Sequence, residues 1–168
     1  MTVLRQFFAR RATRKAFSNI LKPGVTDKIL SESDFYKRGF QEAQIDFVCA
    51  SVRGETPEII SERMGLVSDL AVQQGGIVYD LISGIVIIAY VLVEHESDPG
   101  QRRANLCNSA RSQLATNVKM VHGTALGHHG LLGNSPRMSF SFIVPGFLDA
   151  LAKLAALPYG ETCELKNN

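Results

Sequence analysis

Residues 75–90 read GGIVYDLISGIVIIAY, two short β-branched runs on either side of Ser83-Gly84. β-Branched residues suit the pleated, half-buried surface of a sheet, and a two-residue connection containing Gly marks a tight hairpin. Strands are therefore expected over Ile77 to Ile82 and Ile85 to Val93. Upstream, a helix over Pro57 to Gln74 starts where Thr56 can cap and Pro57 fits the first turn, and it stops at Gly75-Gly76. Before it, IDFVCAS at Ile45 to Ser51 reads as a strand. Downstream, Arg102 to Thr116 reads as a helix with Ala104, Cys107, Ala110, Leu114 and Ala115 along one side, followed by a strand at Val118 to Ala125. The Gly-rich stretch GHHGLLGN, residues 127–134, is expected to be a connection between strands. A strand at Met138 to Val144, a helix at Gly146 to Leu157 and a short strand near Glu161 to Leu165 follow. The order β-α-β-β-α-β with an appended β-α-β predicts an α+β fold, an antiparallel-rich sheet covered by helices.

The whole chain has 168 residues and a formal charge of +2, room for one globular domain that needs no staple to fold. That small net charge is a cancellation. Residues 1–40 carry nine Lys/Arg against three Asp/Glu, and residues 41–168 carry nine against thirteen. In the basic leader, assigned to residues 1–43, Leu4, Phe7, Phe8, Ala12, Ala16, Phe17, Ile20 and Leu21 recur near helical spacing among Arg10, Arg11, Arg14 and Lys15. The pattern predicts an amphipathic helix ending before Pro23-Gly24, then a short helix from about Val25 to Leu30. Such a helix is better read as packed on its own domain, residues 44–168, or on a second copy than as a membrane-surface anchor. No nucleic-acid motif accompanies the basic face, so no nucleic-acid partner is expected. Cys49, Cys107 and Cys163 are odd in number and widely spaced, which argues against a disulfide framework and for a reducing, cytoplasmic setting. The longest apolar run, Ile85 to Val93, falls well short of the ~20 residues of a membrane helix. The first residues, MTVLRQFFARR, lack the apolar core and cleavage site of a secretory signal.

Candidate chemistry is sparse. His128 and His129 are adjacent and would face opposite sides of a strand, while His95 and His122 lie elsewhere without ligand spacing. Gly123, Gly127, Gly130 and Gly133 lack the Lys-Ser/Thr of a phosphate loop and do not open a helix. There is no nucleophile elbow and no Cys-His pair implied by spacing. Asp46 and Asp80 could face a common cleft, but lone strand carboxylates are usually solvated rim residues.

Specific strings nevertheless stand out: IDFVCASVRGET at 45–56, the 75–90 hairpin, VHGTALGHHGLLGNSPRMSFSFIVPGF at 121–147 and LAKLAALPYGE at 151–161. Together they resemble the catalytic domain of the class III adenylate/guanylate cyclases over about residues 44–165. The leader, RRATRKAFSNILKPGVTDKIL at 10–30, resembles the Arg-rich segment preceding that domain in membrane- or sensor-coupled cyclases. The resemblance implies a ferredoxin-like fold and a head-to-tail homodimer with active sites at the dimer interface.

It also implies where chemistry should sit. In active members, one carboxylate at the end of the first strand and one at the hairpin turn hold two divalent ions. Aligned on Arg53-Gly54 and Gly75-Gly76, those positions are Ser51 and Gly84, the latter beside Ser83, and neither is acidic. The family's base-selecting Lys falls on Asp80. With a one-residue insertion around Pro145-Gly146, the nucleotide-orienting Asn falls on Asp149 and the transition-state Arg on Lys153; without it, on Leu148 and Ala152. Lys keeps the charge of Arg but not its planar fork. The expectation is a domain that has lost catalysis, with no catalytic, metal or cofactor-binding residues, and that acts as a dimeric regulatory or interaction module. Two rivals remain: one half-site of an active heterodimeric cyclase, the only reading that calls for Mg²⁺ or Mn²⁺, and a nucleotide sensor without turnover. On the same alignment, Ser51→Asp with Gly84→Asp should recreate metal binding.

Overall fold

The computed structural model describes residues 41–82, 84–91, 98–134 and 137–165; the leader helices and Ser83 lie outside them. The elements are β1 (Gln41–Val52), α1 (Pro57–Gln73), β2 (Ile77–Ile82), β3 (Ile85–Tyr90), α2 (Pro99–Leu114), a 3₁₀ turn (Ala115–Asn117), β4 (Val118–Asn134), β5 (Arg137–Ile143), α3 (Phe147–Ala156) and β6 (Thr162–Leu165). The sheet runs β2-β3-β1-β4-β5, with β6 on β4. Every pairing is antiparallel except β4 with β6. This is the α+β, antiparallel-rich arrangement expected from the element order and the ferredoxin-like fold that the resemblance implies, with an added β-α-β.

β1 is the central strand, and its alternation divides the core. Val48, Ala50 and Val52 join Val67 and Ala71 of α1 and Leu106, Cys107, Ala110 and Leu114 of α2 on one face. Ile45, Phe47 and Cys49 join Ala150 and Leu154 of α3 on the other. A strand buried on both faces reads as an unbroken apolar run rather than an alternation, which is what FVCA at 47–50 displays. α1 begins as expected, with the Thr56 side chain accepting from the Ile59 N–H and Pro57 in the first turn. No helix among the described residues is long and apolar enough to cross a membrane.

Several expectations change: β1 begins at Gln41 rather than Ile45, and α2 at Pro99 rather than Arg102. β3 ends at Tyr90 rather than Val93. The buried stripe of α2 passes through Leu106 instead of Ala104, and Ala115 leaves the helix at φ +47°. The Gly-rich segment is not a connection: it continues β4 to Asn134, pairing with β1 through His129 and with β5 from His128 onward. Gly127 serves close packing within the strand. A Cβ on Gly127 would lie 2.4 Å from the Ile143 carbonyl oxygen and 2.9 Å from Ile45 Cδ1.

Candidate functional site

β1 ends against the β2–β3 hairpin. Ser51 pairs with Ile85, and the Val52 N–H donates to the Gly84 carbonyl at 2.8 Å, so Ser51 and Gly84 are neighbours. On its other side Ser51 pairs with Lys119 of β4. Both side chains are buried, at 9% and 8% exposure. The segment Tyr159-Gly160-Glu161 is fastened to the start of β4: the Gly160 N–H donates to the Val118 carbonyl at 2.7 Å, and the Met120 N–H to the Glu161 carbonyl at 3.1 Å. Gly160 takes φ +95° to make that turn, a conformation that costs other residues strain.

That turn sets Tyr159 over the end of β1. Its hydroxyl lies 3.2 Å from Ser51 Oγ, and the Arg53 guanidinium and Lys119 ammonium each lie 4.8 Å from its ring centroid, within cation–π range. Lys119 Nζ also donates to the Ala155 carbonyl of α3 at 3.0 Å. The Arg53 N–H donates to the Asn117 carbonyl, and the Arg63 guanidinium donates to the Arg53 carbonyl. Beside this cluster, Arg53, Gly54, Glu55, Ile59, Arg63 and Asn117 line a depression of about 330 Å³.

These residues do not suit a pair of divalent cations. Magnesium sites rest on carboxylates plus substrate phosphates, whereas here the donors are one hydroxyl, already paired with Tyr159, and a glycine, with two protein cations next to them. Among the described residues no group of three or more His, Cys, Asp or Glu side chains converges as a metal site would. The hairpin also resists rebuilding the site by substitution. Gly84 has φ +82°, and a Cβ there would lie 2.9 Å from the Val52 carbonyl oxygen. The metal binding expected of the double Asp substitution is therefore opposed by the backbone at one of its two positions.

The other candidates separate. Asp80 sits just past a bulge in β2, which pairs Val78 with Ile88 but Asp80 with Ile87, so Tyr79 is the extra residue. Asp149 and Lys153 are both exposed on α3, between the inward Ala150 and Leu154, and form no ion pair with each other. Leu148 and Ala152 are exposed on the same helix. Asp46 is committed elsewhere: its Oδ1 accepts from Arg103 at 2.9 Å and from Thr124 at 2.6 Å, while Arg103 also reaches Glu164 at 2.8 Å. This network ties α2 to β1, β4 and β6. His128 is exposed and its neighbour His129 buried, as alternation in a strand requires. Burial holds the His122 and His129 imidazoles below the usual histidine range, with Arg103 adding to the effect at His122.

Lys119 was not singled out in the sequence, and Tyr159 appeared only within a string. The signal for Lys119 was present: a single charge inside the apolar run VKMV at 118–121. Its meaning depends on the register with Ser51, which no local pattern specifies.

No family model matches the chain, and no curated protein does. Solved structures do. The adenylyl cyclase CyaB of P. aeruginosa is similar at TM-score 0.54 and 17% identity, over 73% of this chain and 76% of that one. A dimeric guanylyl cyclase domain of the RhoGC fusion protein from the aquatic fungus Blastocladiella emersonii is similar at TM-score 0.58 and 8% identity, over 73% and 79%. A bacterial light-regulated adenylyl cyclase is similar at TM-score 0.67 and 13% identity; the match takes in 95% of this chain but 53% of that one. Over most of its length this chain has the fold of the class III adenylyl and guanylyl cyclase catalytic domains.

Proposed function

We propose that this is a cyclase-like domain without cyclase activity, a cytoplasmic, dimeric module that regulates or docks on a signalling partner. The observation that supports the reading is that Ser51 and Gly84 are neighbours at the end of β1, where the fold's chemistry would need two carboxylates. Phosphoryl-type transfer depends on positioned metals and cations that stabilise developing charge, and loss of one such element commonly costs about 100-fold or more. Here the carboxylates and the base-selecting Lys are replaced together. The purified protein incubated with ATP or GTP and Mg²⁺ or Mn²⁺ should yield no cyclic nucleotide above a no-protein control. Product formation that a Lys153→Ala substitution removes would overturn the reading.

One observation favours a second reading. Lys153 is exposed on α3 and forms no ion pair among the described residues, so its charge is available to an active cyclase chain across an interface. In that case co-expression with a cyclase chain raises cyclic nucleotide output, and Lys153→Ala removes the gain. For the homodimer, light scattering on the eluting protein should give twice the 18.4 kDa chain mass.

A further inference from the structure

We propose that the outer face of α3 pairs with the same face of a second copy of this chain, the two helices running antiparallel about a two-fold axis. The proposal rests on the homodimer reading above and names the surface that forms it. α3 reads FLDALAKLAA, apolar nearly all round. Ala150 and Leu154 are buried in the core on its inner side. The outer side, which a surface helix normally gives to charged residues, carries Leu148, Ala152, Ala155 and Ala156, all exposed. Three large apolar side chains stay exposed among the described residues, Leu126, Ile143 and Leu148, and Leu148 is the most exposed of them at 79%. A helix apolar on both sides is normally covered on both sides.

The charges on α3 select the occupant. Asp149 and Lys153 are the two charged residues of the helix, opposite in sign and one turn, about 6 Å, apart along its axis. At 3.6 residues per turn they lie on one margin of the apolar strip, and Leu148 and Ala155 lie on the other. Neither charge forms an ion pair among the described residues. In a symmetric antiparallel pair each margin meets its own counterpart, so a contact from one copy to the other is made twice. With the axis level with Leu151, Asp149 meets Lys153 of the second copy, and Lys153 meets Asp149 of the second copy. The same operation sets Leu148 against Ala155 of the second copy, large against small, with Ala152 at the crossing. The face is thus its own complement in both charge and size. Lys153 answers a carboxylate in this pairing, so the homodimer withholds the cation that the heterodimer reading needs.

The test is sedimentation equilibrium of the full chain from about 1 to about 200 µM. A pair of ten-residue helices is a small contact, so a micromolar dissociation constant is expected, rising with salt. Asp149→Lys and Lys153→Asp should each weaken the dimer about tenfold or more, because symmetry enters each repulsion twice. Both side chains are exposed, so circular dichroism should show the fold intact. The double variant Asp149→Lys, Lys153→Asp restores the complement and should return within about threefold of the parent's affinity. An equimolar mixture of the two single variants should associate more tightly than either alone, and Leu148→Ser should weaken the parent dimer. A dimer whose affinity both single reversals leave unchanged overturns the proposal while the homodimer reading stands, and so does a double variant no tighter than the singles. A chain that is monomeric at about 200 µM overturns both.

Discussion

Gly84 is where a single residue constrains the site most. At φ +82° an L side chain is strained, and the nearest obstacle to a Cβ is the Val52 carbonyl oxygen, which is itself held by the strand. Gly84→Ala should destabilise the domain by about 1–3 kcal/mol, read as a lower denaturant midpoint with an unchanged slope. Adding Asp at both Ser51 and Gly84 should leave Mg²⁺ affinity undetectable by calorimetry. The hairpin rejects one new carboxylate, and Lys119 and Arg53 stand ready to pair with the other. Measurable 1:1 Mg²⁺ binding by that variant would show that the turn rearranges at little cost. The three thiols differ in the same residue-by-residue way. Burial pushes the Cys49 and Cys107 thiols up to about 12, while Cys163 is half-buried. Since the thiolate is the reactive form, a disulfide reagent should modify one thiol, Cys163, in the native protein and all three after unfolding.

At the scale of elements, what was legible locally and what was not divide cleanly at β4. The β2–β3 hairpin follows from its own residues: β-branched runs with one glycine turn leave no competing structure. β1 and the start of α1 follow likewise from burial on two faces and from Thr56-Pro57. GHHGLLGN resists such reading because glycine signals a turn locally, whereas here its small size answers a contact with β5, more than a dozen residues away. The structure gives a way to check that account. Gly127→Ala places a methyl group where the Ile143 carbonyl lies, so β4 and β5 must separate locally. The substitution should cost about 1–3 kcal/mol by overpacking. Hydrogen exchange should quicken first along Arg137–Ile143, with the α1 and α2 face unaffected. Uniformly faster exchange throughout the sheet would assign Gly127 a global role.

At the scale of the molecule, the site is made of parts that sequence order keeps apart. Ser51, Gly84 and Arg53 were legible because each sits in or beside a recognisable string, but Lys119, the buried cation next to Ser51, was not. Lys119 reaches Ser51 through β1–β4 register, and Tyr159 through a turn fastened to β4. β4 also carries the groups that couple the whole fold to pH. His122 pairs with Val48 and Glu164 and lies near Arg103 and Asp46; burial and Arg103 disfavour its imidazolium, and the two carboxylates offset only part of this. His129, paired with Gln41 and Phe142, is disfavoured by burial. Both are thus neutral in the fold at pH values where free histidine, near 6.5, is taking up a proton. As pH falls through that value the unfolded chain binds protons that the native chain does not, so the stability these two residues contribute is complete above it and is lost below it. The melting temperature should fall between about pH 7 and about pH 5, and a His122→Gln, His129→Gln double variant should flatten that decline. A variant whose melting temperature falls as steeply as the parent's would place the acid sensitivity outside β4.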